Sequence, residues 1–201
     1  MGFLDTILGR TKPVKPDLDQ LFGLSGAALT LQAGLGFLPT GLGSVCFKAA
    51  EGAAFARTQA DVQQLLDAFE SGQGPKVEVT KDTFGYTWLL VSHEPDDVPG
   101  LVTDLHAVNS GLEAAGFGPQ LLCSLVSFAH PDGRRLALVY LYKRGTFYPF
   151  APAVGSSSTS VADQQRRDNA LEIEVQGSLA SDLKIEPDLA RWFPVWGAPG
   201  L

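Results

Sequence analysis

Apolar residues follow two spacings along this chain, and each predicts a different kind of element. At the start, Phe3, Leu4, Ile7 and Leu8 fall at helical intervals and give one short amphipathic face. The prolines of TKPVKP (11–16) stop that helix and form a linker. Asp17 to Phe22 has room for a helical turn or two. From Leu29, the residues Leu29, Leu31, Ala33, Leu35 and Phe37 alternate at the strand period. On that reading PTGLGS turns the chain and Ser44 to Lys48 returns as a second strand. Glycines 34 and 36 weaken it, and a helix over 27–35 is the alternative. Thr58-Gln59-Ala60-Asp61 is a capping-box variant in front of a helical stripe, Val62, Leu65, Leu66 and Phe69. Val77 to Thr80 and Tyr86 to Ser92 are β-rich runs around KDTFG and predict a hairpin.

A longer helix begins at Asp97, a suitable N-cap, with Leu101, Leu105, Val108 and Leu112 on one side. Gly116 stands where a left-handed cap belongs, and Phe117 can fold back on Leu112. Residues 121–129 and 134–142 flank His130-Pro131-Asp132-Gly133, a strong hairpin signal. Both runs are apolar on both faces, which predicts central strands covered on two sides. The segment 153–165 is small and polar and predicts a mobile loop. Leu171, Val175 and Leu179 line a helix opening near Asp168, although Leu171, Ile173 and Val175 also alternate as in a strand. Hairpins separated by helices, in the order ββ-α-ββ-α-ββ-α, predict an α+β fold: an antiparallel sheet with helices packed on it. The expected organisation is a short segment and linker over 1–16, then a single α+β domain over 17–201.

Composition narrows the function classes. The chain has 201 residues, 45% hydrophobic and 18% charged, enough for a sizeable core. A formal charge of −7 disfavours nucleic acid as the main partner. Two cysteines, Cys46 and Cys123, lie far apart in apolar runs, SVCF and LLCSLV, and read as reduced, buried thiols. With no signal peptide or membrane-spanning run in view, a cytoplasmic protein is expected. MGFLDT fits the short myristoylation pattern through Gly2 and Thr6, a weak signal. Three isolated histidines and no phosphate-binding glycine motif predict no metal, no cofactor and no catalytic residue. Thr103, His106, Asn109 or Ser110, and Glu113 form a polar stripe that reads as a solvated face.

One stretch is unusual. In LVYLYKRGTFYPFAP (138–152) a buried strand runs into a basic pair and then three aromatics around a proline. The structural reading has Lys143 and Arg144 re-entering water while Phe147, Tyr148 and Phe150 cover the end of the sheet. The functional reading makes Lys143, Arg144, Phe147, Tyr148 and Phe150 a partner-binding surface, with Phe3, Leu4, Ile7 and Leu8 as a second one. An alternative is a small-ligand or enzymatic pocket around 142–150, lined by Tyr142, Arg144, Phe147 and Tyr148, with Arg167 and Asn169 joining it. A chaperone-like module is a third reading, on fold analogy alone. The aromatic tail RWFPVWGAPGL predicts a docked segment.

The strings MGFLDTILGRTKPVKPDLDQLF, FGYTWLL, DLHAVNSGLEAAGFGPQLLCSLVSF, LVYLYKRGTFYPFAP, RRDNALE and RWFPVWGAPGL together resemble the bacterial PspA-associated family PspAB. The resemblance implies association with PspA, a membrane-binding scaffold of the phage-shock envelope-stress response. It also brings in the membrane protease HtpX as a partner, with any membrane contact peripheral. It carries no active-site residues. The resulting expectation is a non-enzymatic adaptor, cytoplasmic and recruited to the inner face of the membrane.

Overall fold

The computed structural model describes residues 16–48, 76–82, 84–153 and 166–201. The amphipathic face Phe3, Leu4, Ile7 and Leu8, the linker and the helix expected over 61–69 lie outside the described residues. Among those described, the chain runs through a 3-10 turn (Leu18–Phe22), α1 (Gly23–Leu35), β1 (Leu38–Lys48), β2 (Glu78–Lys81), β3 (Tyr86–Ser92), α2 (Val98–Ala114), β4 (Leu121–Ala129), β5 (Arg135–Leu141), β6 (Thr146–Phe150) and α3 (Asn169–Ser178). The strands form one antiparallel sheet in the order β2-β3-β1-β4-β5-β6. The expected α+β class, an antiparallel sheet carrying helices, is what the chain forms.

Among the described residues the order of elements departs from the expected hairpin series over 23–44 and again at 146–150, where a third strand follows the hairpin. Residues 23–35 are helical, as in the alternative reading, and not a strand. The alternation from Leu29 to Phe37 was the misleading signal: Leu24, Ala27, Ala28 and Leu31 form a helical stripe that packs inward, while Leu29 is 69% exposed. Gly36, with φ +71°, ends that helix in the left-handed region. PTGLGS is no turn either. It lies within β1, where the register with β4 shifts between Pro39 and Gly43. A bulge of this kind is where a proline fits a strand, since it needs no ladder hydrogen bond there. Gly41 makes the bend possible, with φ +76°; a Cβ there would lie 2.2 Å from the backbone oxygen of His93.

The central helix forms as its sequence dictates. Asp97 caps α2 by accepting the Gly100 amide at 3.0 Å, and Pro99 occupies the first turn. At the other end Gly116 has φ +88°, and the Phe117 amide donates to the Leu112 carbonyl at 2.8 Å, which completes the Schellman arrangement. Leu101, Val102, Leu105, Val108 and Leu112 are fully buried against the sheet, each contributing about 2 kcal/mol by removal from water. Of the stripe's two alternatives, Ser110 is half-buried, whereas Asn109 leaves the stripe. It is buried, and its Nδ2 donates to Ser124 Oγ on β4 at 2.8 Å, which fixes the helix against the strand. α3 is helical and not extended, capped by Asp168, which accepts from the Leu171 amide at 3.0 Å.

The sheet is covered on both faces. The helices bury one face with Val45, Phe47, Leu89, Val91, Val126, Phe128, Leu136, Leu138 and Tyr140. The other face, built on Cys46, Trp88, Cys123, Leu125, Val139, Tyr148 and Phe150, is closed by the tail residues Trp192, Val195, Trp196 and Ala198. The aromatic tail is docked, as its composition requires.

Candidate functional site

Strand period decides the fate of LVYLYKRGTFYPFAP. In β6 successive side chains point to opposite faces of the sheet. Phe147 therefore packs into the helix-covered core beside Tyr140, with ring centroids 5.1 Å apart, while Tyr148 and Phe150 enter the opposite, tail-covered layer. All three rings are at most 1% exposed. These aromatics do not cover the sheet but belong to its edge strand, and all three are buried. Phe147 and Tyr148 face opposite sides of the sheet, so these two do not line one pocket together. Pro149 is tolerated because β6 lies at the margin of the sheet. There Phe147 exchanges backbone bonds with Lys184 and Glu186, at 2.9 and 2.7 Å.

The basic residues take separate positions. Lys143 and Arg144 are exposed in the β5–β6 turn. Arg144 Nε donates to Glu186 Oε2 at 2.6 Å, and Thr146 Oγ1 donates to the same oxygen at 2.8 Å. Burial alone would oppose ionisation of Glu186. The bonds from Arg144, Thr146 and the Asp188 amide outweigh it and hold the carboxyl below its usual range. Arg167 pairs instead with the buried Glu172, its Nε 2.9 Å from Oε1. Its Nη1 donates to the Trp192 carbonyl, and its guanidinium lies over Phe150. These two arginines hold the cover of the sheet in place. Asn169 is exposed in the first turn of α3.

On the tail-covered face the structure assembles a site that the sequence did not reveal. Cys46 in β1 and Cys123 in β4 are directly opposed partners in the antiparallel ladder. Both are free thiols, 3% and 8% exposed. They form part of the lining of a groove of about 510 Å³, together with Tyr86, Trp88, Tyr148 and the tail residues Phe193 to Trp196. Asp82 fixes one wall. Its Oδ2 accepts from Trp88 Nε1 at 3.0 Å, and its Oδ1 accepts the Phe84 and Tyr86 amides, both at 2.9 Å. Tyr148 fixes the other, its hydroxyl donating to the Phe193 carbonyl at 2.8 Å. Phe84 and Phe193, 69% and 59% exposed, stand at the rim. The Cys46 thiol is pushed up by its hydrogen bond with Cys123, then by burial, so it stays protonated. Burial, reinforced by Cys123, likewise raises the Tyr148 phenol.

A second groove, about 810 Å³, opens between α1, the start of β1, the β3–α2 connection and the β4–β5 turn. Its lining is mainly apolar and includes Ala28, Leu29, Leu38, Pro39, Val98 and Pro131. Leu29 and Leu38 are 69% and 44% exposed. Beside it His93 is held between two carboxylates, Nδ1 2.9 Å from Asp97 and Nε2 2.7 Å from Asp104. Burial works against the charged ring, but the bonds to Asp104 and then Asp97 prevail and raise its pKa. Among the described residues no group of three or more His, Cys, Asp or Glu converges as a metal site would require. No helix among them is long and apolar enough to cross a membrane.

Sequence reasoning missed the thiol pair because its two members lie 77 positions apart (123 − 46). The available signal was strand pairing: SVCF and LLCSLV each carry their cysteine mid-strand, and only the register decides whether they meet.

An open antiparallel sheet with helices on one face and a docked tail on the other defines an α+β fold. The chain belongs to the family PspAB, PspA associated protein B, whose family model matches residues 1–200. No curated protein and no solved structure matches it.

Proposed function

We propose that this protein is a non-enzymatic adaptor that binds a PspA-type scaffold, with the groove beside α1 as its contact. The family description supplies the partner. The observation that carries the choice of surface is the exposed pair Leu29 and Leu38 in a largely apolar, open groove. Large apolar side chains gathered in this way are a common mark of an interaction site.

The test is affinity purification from the native cell. Leu29→Asp/Leu38→Asp should keep its thermal transition, because both side chains face water, and should lose PspA. A chain lacking residues 1–10, run in parallel, separates this contact from one made by Phe3, Leu4, Ile7 and Leu8. Loss of PspA on truncation alone would move the contact to the N-terminal face. Retention by both would sink the adaptor reading for these surfaces. The same eluates report whether a membrane protease such as HtpX accompanies PspA.

A ligand-binding reading is favoured by one observation, the aromatic groove over the cysteines, where Tyr148 is the residue shared with the pocket expected around 142–150. A small molecule that protects Tyr86 and Trp88 from solvent on titration would support it.

A further inference from the structure

The cysteine pair has a geometry that isolated buried thiols lack. Residues directly opposed in antiparallel strands have Cα atoms about 4.5 to 5.5 Å apart and side chains on the same face. A disulfide needs Cα atoms about 4.4 to 6.8 Å apart. Cys46 and Cys123 are opposed in that way, mid-strand in β1 and β4. Both line the aromatic groove, so a small reagent entering it meets sulfur.

We propose that Cys46 and Cys123 form an oxidisable dithiol, closed by a hydroperoxide to a cross-strand disulfide linking β1 to β4. Cys123, the more exposed of the two, attacks the terminal peroxide oxygen after losing its proton. The O–O bond breaks, the leaving oxygen takes up a proton as an alcohol or water, and Cys123 becomes a sulfenic acid. The Cys46 sulfur then attacks the Cys123 sulfur. The S–O bond breaks, and hydroxide leaves with the proton from Cys46 as water. Two thiols and one hydroperoxide yield one disulfide, one alcohol and one water; two electrons pass from sulfur to oxygen. In a reducing compartment the open dithiol is the resting form, and closure would report oxidant.

The experiment exposes the full chain to hydrogen peroxide under native conditions, followed by thiol alkylation, intact mass and peptide mapping. The expected result is simultaneous loss of both thiols, a mass lower by about 2 Da, a linked peptide joining residues 46 and 123, and recovery with dithiothreitol. Two persistent thiols, disulfide-linked dimers, or oxygen added to the cysteines without cross-linking would overturn the proposal. With Cys46→Ser, dimedone should trap a sulfenic acid at Cys123. With Cys123→Ser, Cys46 should stay unlabelled over the same period; labelling there would overturn the assignment of Cys123 as the attacking sulfur. Should either variant fail to fold, the linked peptide of the unaltered chain still decides the central claim.

Discussion

The two faces of the sheet are closed in different ways. On one face, helices lay down rows of leucine and valine, and the polar pair Asn109–Ser124 satisfies its buried donor within the layer. On the other, a tail without α-helix is held by particular bonds: Trp192 Nε1 to the Glu186 carbonyl at 3.0 Å, Tyr148 to Phe193, and Arg167 to Trp192. Regular helices fill their side with interlocking ridges. An irregular tail of large rings leaves gaps between them, and the groove containing the cysteines is such a gap. The thiols lie on the second face, while the larger, mainly apolar groove opens beside α1.

That contrast can be broken most sharply at the centre of the helix layer. Leu105→Ala removes a fully buried side chain between α2 and β1 and should cost about 4 kcal/mol in urea-induced unfolding. Trp192→Ala, on the tail face, should cost about 2 kcal/mol, less than a rigid core site loses, because irregular chain can relax around the vacated volume. Hydrogen exchange should separate the two variants. Trp192→Ala accelerates amides around 192–201 and leaves α2 protected, whereas Leu105→Ala accelerates α2 as well. Equal acceleration in both would remove the distinction between the faces.

Arg144→Ala should cost about 2 kcal/mol near neutral pH, since it strips one partner from the buried Glu186. The sign with pH follows from the depressed carboxyl. Its contribution is complete above the unfolded value of about 4.3 and is lost as pH falls through the lower folded value. The gap between wild type and Arg144→Ala should therefore narrow on acidification; a constant gap would mean that Arg144 acts through packing alone. His93 provides the smallest effect, of opposite sign. Its folded pKa is raised, so its contribution is complete below about pH 6.5 and fades as pH rises through the folded value. His93→Gln should flatten that alkaline loss in thermal melts, and an unchanged slope would count against the carboxylate clamp.

The helix-covered face was the more legible of the two in the sequence. Asp97, Gly116 and Phe117 announce both ends of α2, and the His130–Gly133 turn announces the β4–β5 hairpin, because caps and turns are written in adjacent residues. The stretch from Leu29 to Phe37 was not, since leucines two apart satisfy a strand period while a helix buries others, and only the sheet below decides which are needed inside. The split of Phe147 from Tyr148 was readable from strand period once β6 was accepted as a strand. The meeting of Cys46 with Cys123 was not, because a register across 77 positions depends on strand pairing and on shifts at Pro39–Gly43 and Cys46–Phe47, which neither cysteine's neighbours determine.

One further property follows from how the tail docks. Trp88, Trp192 and Trp196 are the protein's three tryptophans, and all three belong to the tail-covered layer. Intrinsic fluorescence therefore observes only one side of this molecule. Emission would shift to the red when the tail lifts and would stay silent while the helices rearrange. The chain thus carries a built-in optical probe for the face where its thiols lie, and circular dichroism of the helices supplies the complementary view.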